Sequence, residues 1–347
     1  HLLEDAYSLY IASLYFQDKK LYRKASKLLK QELKEQVLPD GAHYEQSPMY
    51  HCILLDRLLD CYNFSVHNVR FGQQREMNNF LEDKVKQMLG WLKAIIYEDG
   101  SLPLLNDSAN GIAPTSREIF DYARRLGLII EESRLKESGY RKIRLTWGEV
   151  ILDVGGITAS YQPGHSHADT FNYELRINGQ PFIVDTGIST YNKTERRQWE
   201  RGTAAHNTVV VNCQNSSEVW SGFRVGRRAN VCVVEEQAGR IVARHDGYGK
   251  KCVHQRSFCW NHQYLKIVDK LFSIGSAVSY IHLAPEVVIL TQKEKVIETN
   301  QGILKIENAD SIDLLDDFVS REYNILQPCK VIAIHFTKTI TYTILPK

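Results

Sequence analysis

Long hydrophobic runs are missing from this chain. Its most apolar stretches, such as "VVVNC" and "GLII", fall far short of the ~20 apolar residues that a helix needs to cross a bilayer, so no transmembrane segment is expected. An excess of one charge is missing as well. With 43 Lys and Arg against 41 Asp and Glu there is no global basic field, which argues against a nucleic-acid binder. Only local clusters, Arg196-Arg197 and Arg224 to Arg228, are left to meet an anion. Ordered cysteine spacing is absent too: the seven cysteines include no CxxC pair and no regular framework, which argues against a disulfide-stapled fold. What the chain does have is length. Its 347 residues exceed the usual ceiling for one hydrophobic core and predict two domains.

The two predicted domains differ in period. From Leu2 to about Leu126, apolar residues recur at three- and four-residue intervals in five segments, "LLEDAYSLYIASLYF", "LYRKASKLLKQELKEQVL", "SPMYHCILLDRLLDCYNF", "LEDKVKQMLGWLKAIIY" and "SREIFDYARRLGL". Ser47 before Pro48 reads as an N-cap with proline in the first helical position. Antiparallel helices with short links are the natural arrangement. The Gly-, Pro-, Asn- and Asp-rich stretch "YEDGSLPLLNDSANGIAPTS" reads as one long ordered loop. After about Tyr140 the period becomes two. About ten short alternating runs, among them "FNYELRINGQPFIVDTG" with its Asn-Gly hairpin signal, imply an antiparallel sandwich. The predicted domains are 1–139, helical, and 140–347, all-β, and a cleft between such halves is a usual place for a ligand. Because the chain opens on His1 and enters a helical pattern at once, it reads as a fragment or processed chain whose natural beginning, with any signal peptide, lies outside this sequence.

Residues that carry chemistry concentrate in "YQPGHSHADTFNYEL", where His165, His167 and Asp169 alternate after a Pro-Gly turn. On an extended segment His165 and His167 project to one face. Asp185, at the end of "FIVDTG", and His206, in "AAHNTVVV", complete an N/O donor set of the kind zinc takes. A metal site, a proton-transfer site and a polar hairpin that satisfies its own backbone all remain open on these residues alone. In "PDGAHYEQSPMYH", Tyr44 lies in a loop and Tyr50 and His51 in the first turn of a helix, from which a tyrosine hydroxyl can reach a cleft, although most of the 18 tyrosines must be packing residues. In "STYNKTERRQWERGTAAHN", rings beside guanidinium groups (Tyr191, Arg196, Arg197, Trp199, Arg201) suit an acidic sugar as well as they suit a solvated loop.

The ordered series "HLLED", "DGAHYEQSPMYH", "PLLNDSA", "GHSHADTFNYEL", "FIVDTGISTYN", "ERGTAAHNTVVVN" and "HDGY" resembles the heparinase II/III family of polysaccharide lyases, which includes oligo-alginate lyases. Each motif is weak, their shared order is specific, and the resemblance covers nearly the whole chain. It implies an incomplete α/α toroid, truncated here, followed by an antiparallel β-sandwich, and an enzyme that cleaves an acidic, uronate-containing polysaccharide by β-elimination. A base removes the C5 proton, an acid protonates the departing O4, and the neighbouring carboxylate is neutralised. By position, Tyr50 resembles the catalytic tyrosine, with Tyr44 its rival, and His165 the catalytic histidine. His167, Asp185 and His206 resemble the residues holding a structural zinc. His1 matches the histidine of an Asn-His pair that contacts the substrate carboxylate; the Asn would immediately precede it. Tyr44, His51, Tyr191, Arg201 and Asn207 are expected to contact substrate. The resemblance favours a periplasmic or secreted location. Two other functions fit the same residues, a carbohydrate-binding protein without turnover and a zinc hydrolase.

Overall fold

A computed structural model describes residues 1–273 and 275–347. The chain divides into two compact units, one of His1–Leu102 and Gly111–Ser138, the other of Pro103–Asn110 and Gly139–Lys347.

The first unit is helical: α1 (Leu2–Tyr15), α2 (Lys19–Gln36), α3 (Pro48–His67), α4 (Gln74–Ile95) and α5 (Ser116–Arg125) fall on the five periodic segments, with α4 starting at Gln74, ahead of Leu81, where its periodic segment begins. Three of the starts have a local cause in a side-chain cap. Asp18 caps α2 through the amides of Lys20 and Leu21, Ser47 caps α3 through that of Tyr50, and Thr115 and Glu118 form a capping box at α5. A three-residue link turns α2 back on α1, and the helices form the successive hairpins of an incomplete α/α toroid. Trp91, Leu89 and Leu92 of α4 are wholly buried with Leu55, Leu58 and Leu59 of α3. Gly41, at φ +95°, must be glycine, since a Cβ there would stand 2.1 Å from the Gln87 carbonyl oxygen. No described helix is long and apolar enough to cross a membrane.

The second unit is an antiparallel β-sandwich. In chain order it contains β1 (Tyr140–Leu145), β2 (Gly148–Asp153), β3 (Tyr173–Ile177), β4 (Gln180–Ile183), α6 (Glu195–Glu200), β5 (Val209–Val211), β6 (Val219–Trp220), β7 (Arg224–Val225), β8 (Val231–Gln237) and β9 (Arg240–His245). There follow β10 (His254–Trp260), β11 (Leu265–Leu271), β12 (Ala277–His282), β13 (Ile289–Lys293), β14 (Val296–Thr299), β15 (Gly302–Glu307), β16 (Ser311–Glu322), β17 (Ile325–Phe336) and β18 (Thr339–Pro346). The sheets run β1-β2-β3-β4, β13-β14-β15-β18-β11-β10-β9-β8 and β16-β17-β12-β5, and β6 pairs with β7 alone. One apolar core joins the three larger sheets, with Leu152, Tyr173 and Phe182 from the first, Phe258, Ile267 and Tyr342 from the second, and Val209, Ile281 and Ile332 from the third. Asn178 and Gly179, at φ 49° and 77°, form the β3–β4 turn that the Asn-Gly signal predicts.

Within the eight-stranded sheet, alternation places a charge inside. β11 buries Leu265, Ile267, Asp269 and Leu271, and Arg256 is paired with Asp269 across the ladder. Arg256 donates Nε and one Nη to the two Asp269 oxygens, at 2.7 and 2.8 Å, and its other Nη to the carbonyls of Phe171 and Asn207. A one-way relay feeds the same carboxylate: the Gly247 amide donates to His245 Nδ1, His245 Nε2 to His254 Nδ1, and His254 Nε2 to Asp269. Each imidazole thus donates once and accepts once, the pattern of a neutral ring, and burial lowers both pKa values.

Candidate functional site

The predicted extended segment around His165 is a loop. Between β2 and β3 the chain has no strand, and turns at Pro163–Ser166 and Asp169–Asn172 orient the side chains instead. His165 and His167 nevertheless reach one acceptor, Asp107, which lies in the "PLLNDSA" segment and is fully buried. Asp107 Oδ2 accepts from His165 Nδ1 at 2.9 Å and Oδ1 from His167 Nε2 at 2.7 Å. Arg197, on α6, forks onto both oxygens, with Nη2 at 2.7 Å. Burial opposes ionisation of Asp107, but the two imidazole hydrogen bonds and the Arg197 charge outweigh it and hold the carboxyl well below its ordinary range.

An ionised carboxylate only accepts, so each ring nitrogen facing it must carry a proton. His165 therefore bears a proton on Nδ1, so that it is Nε2 that carries the lone pair whenever the ring is neutral, and its side chain is 22% exposed. The same logic gives His167 a lone pair on Nδ1. His206 donates Nδ1 to Asp185 Oδ2 at 2.7 Å; burial opposes its charge, but the Asp185 carboxylate and then Asp169 raise its pKa, and only the neutral ring offers a lone pair on Nε2. His167 Nδ1, His206 Nε2 and Asp169 Oδ2 are buried and have no hydrogen-bond partner among the described residues, and the His167 and His206 rings lie 5.3 Å apart. Burial first, and the nearby Asp185 carboxylate as well, push the Asp169 carboxyl up to about 6. Among the described residues no three His, Cys, Asp or Glu side chains are gathered as a metal-holding group; Asp185 stands on His206 and on the Gly187 amide. In its donor chemistry the set fits zinc: two imidazole nitrogens without partners among the described residues, each ring held from behind by a carboxylate, where a cation would displace any proton from His206 Nε2. Gly187 itself, at φ +65°, would drive a Cβ to 2.1 Å from the Ser320 carbonyl.

Three residues expected to contact substrate are buried and bonded within the protein. His51 is fully buried, accepts the His43 amide on Nδ1, places Nε2 3.0 Å from the Met88 carbonyl, and has its pKa lowered to about 4 by burial, so neither nitrogen is left for a ligand. Arg201 is buried and donates to the carbonyls of Ser166, Trp220 and Arg224; burial, and then the Arg197 charge, lower its pKa to about 10. Asn207 is buried and joins the Tyr173 and Val184 carbonyls to the His282 amide. These groups are spent on backbone, since loops without ladder bonds must be satisfied by side chains. Tyr191 stays half-buried, its ring 6.3 Å from that of His165. In the helical unit, Tyr50 is half-buried in the first turn of α3, Tyr44 is 7% exposed, and His1 is exposed at the N-cap of α1.

Residues 131–343 match the family described as Heparinase II/III-like, C-terminal, and residues 1–125 match Heparinase II/III N-terminus. A heparin-sulfate lyase of Bacteroides stercoris is 24% identical over 82% of this chain and 45% of its own length. One of Pedobacter heparinus is 25% identical over 58% of this chain and 33% of its own. Among solved structures, a heparinase III superposes with a TM-score of 0.78 at 18% identity, covering 99% of this chain and 61% of that one. The heparan sulfate lyase of Pedobacter heparinus gives 0.76 at 20%, covering 100% and 60%. The chain thus spans less than half the length of the curated relatives it matches, and the structural likenesses, at these identities, speak for the fold. With both family regions matched in order across the two units, this chain belongs to the heparinase II/III family.

Proposed function

We propose that this chain carries the reaction centre of a polysaccharide lyase that cleaves a uronate-containing polysaccharide by β-elimination, with His165 and Tyr50 as the base and acid. The observation that carries the reading is the grip of Asp107 on His165 Nδ1, which fixes the tautomer with a basic Nε2 and stabilises the imidazolium that forms when Nε2 takes the C5 proton. Tyr50 is the group offered to the departing O4, and His1 the proposed contact for the uronate carboxylate. The names of the relatives put heparan sulfate first among candidate substrates.

The test is a panel of heparan sulfate, hyaluronan, chondroitin, alginate and bacterial capsular uronates, read by the ultraviolet absorbance of a new C4–C5 double bond. One polymer is expected to respond, and His165→Ala and Tyr50→Phe are each expected to lower the rate by about 10²–10⁴-fold. Binding without new absorbance on any polymer would replace elimination by carbohydrate binding alone.

Zinc enters the proposal as a structural ion on His167 Nδ1 and His206 Nε2, supported by the lack of any other partner for these two nitrogens among the described residues, while Asp185, expected as the third ligand, holds His206 from behind through Nδ1. When bound it would supply a crosslink among the loops behind His165. Elemental analysis is expected to find about one zinc per chain, and chelation to lower Tm, with activity falling only as stability falls. Zinc-free protein of unchanged Tm would sink this half of the reading. Loss of turnover at unchanged Tm would instead indicate a hydrolytic metal.

A further inference from the structure

We infer that the β6–β7 hairpin is an acidic-sugar subsite, in which Trp220 and Phe223 stack on pyranose rings and Arg224 meets a carboxylate or sulfate. The inference rests on the reading of the protein as acting on an acidic polysaccharide.

Two strands of two residues each have little stability of their own, and this ribbon joins none of the larger sheets. It is held from α6 and its C-cap. Arg197 Nε donates to the Gly222 carbonyl at 3.1 Å, Gln198 to Val219 at 2.7 Å, and Arg201 to Trp220 and Arg224 at 3.4 and 3.3 Å. All four bonds grip backbone, which leaves the exposed side chains of Trp220, Phe223 and Arg224 outside the anchoring while Val219 is buried. Ser221 and Gly222, at φ 48° and 75°, make the reversal.

What it turns outward is unusual for a surface. Trp220 is 50% and Phe223 36% exposed. Trp220 is the ladder partner of Arg224, which puts an exposed ring and an exposed guanidinium on one face. Within the Arg224–Arg228 cluster, Arg227 is spent on the Gly247 carbonyl and Arg228 on those of Ala159 and Ser160. The Arg224 side chain has no hydrogen bond or ion pair among the described residues.

The platform continues to the proposed base. The Phe223 ring lies 6.4 Å from that of His165 and 5.7 Å from Tyr191, and Tyr191 lies 5.5 Å from Tyr323. The Arg197 guanidinium, anchored on Asp107, sits 5.1 and 5.2 Å from the Tyr191 and Phe223 ring centres. Flat apolar faces beside an unpaired cation match a chain whose sugars alternate C–H faces with anionic groups, and a pre-fixed backbone reduces the ordering cost of binding.

The experiment measures binding of a heparan sulfate octasaccharide by calorimetry, alongside KM for release of unsaturated product. Trp220→Ala is expected to raise Kd and KM about tenfold, the effect of removing one aromatic anchor, whereas Trp220→Phe keeps most of the affinity. Arg224→Gln is expected to weaken binding and to flatten its salt dependence, a readout that a folding defect would not produce. Wild-type Kd, KM and salt slope in both Trp220→Ala and Arg224→Gln would overturn the inference, even with elimination established. Binding that depends on these residues, without any unsaturated product, would uphold the subsite and overturn the lyase reading. No binding by the wild type to the octasaccharide or to any polymer of the panel would overturn both.

Discussion

Asp107→Asn is expected to cost about 3–5 kcal/mol of stability and to remove turnover. The substitution keeps size and shape but leaves Arg197, buried beside it, without a counter-charge. An amide also presents one acceptor oxygen where the carboxylate presents two, so His165, His167 and Arg197 can no longer all be satisfied. His165 then loses the constraint that keeps its lone pair on Nε2. Chemical denaturation and initial rates on the responding polymer measure the two effects, and a variant within 1 kcal/mol of wild type with ordinary turnover would refute the account. The effect also has a pH signature. The Asp107 carboxyl is held below its unfolded value, so its stabilising contribution is fully present above the unfolded pKa of about 4 and is lost as pH falls through the folded value. The variant should lack that part of the acid limb, so the gap between the two proteins narrows on acidification.

The second large effect is remote from the proposed chemistry. Arg256→Met is expected to cost about 3–5 kcal/mol, because Asp269 remains buried and charged with little beyond His254 to answer it. Arg256→Met combined with Asp269→Leu is expected to cost less than Arg256→Met alone, since no charge is then stranded, and a double-mutant cycle in urea measures the coupling. Two other groups lose their donor: the carbonyls of Phe171 and Asn207, which flank the loops bearing Asp169 and His206. Faster amide exchange in those loops is the accompanying expectation, and a single variant as stable as the wild type would refute it.

The five helices were legible because their periods are local, and for α3 the Ser47 cap is local as well. The sandwich was legible as a class, and its strands only in part. β16, "SIDLLDDFVSRE", has no alternating signal because most of it is exposed along an edge of its sheet, and no burial pattern was there to be read. The six residues of α6 were hidden in a loop-like charge cluster. At the site the hydrogen-bond network was not legible. Asp107 sits among Asn and Ser in a segment that reads as a solvated loop, and nothing local announces that two histidines and an arginine from residues 165–197 converge on it. Arg201 and Asn207 read as ligand contacts because polar residues in loops usually face solvent, whereas here they replace the ladder bonds that the loops lack.

The segment Pro103–Asn110 belongs to the β unit although the chain returns to the helical unit after it. Covalent order and architectural membership therefore disagree, and the boundary between the units is no single point on the chain. A piece of the protein beginning at Gly139 would carry His165, His167 and Arg197 but leave behind the carboxylate that orders all three. Recombination at that junction, in evolution or in the laboratory, would transplant a sandwich with its central anion missing. Inheritance of this site as a unit requires the upstream loop to travel with it, which ties the history of the β unit to the helical sequence on either side of that loop.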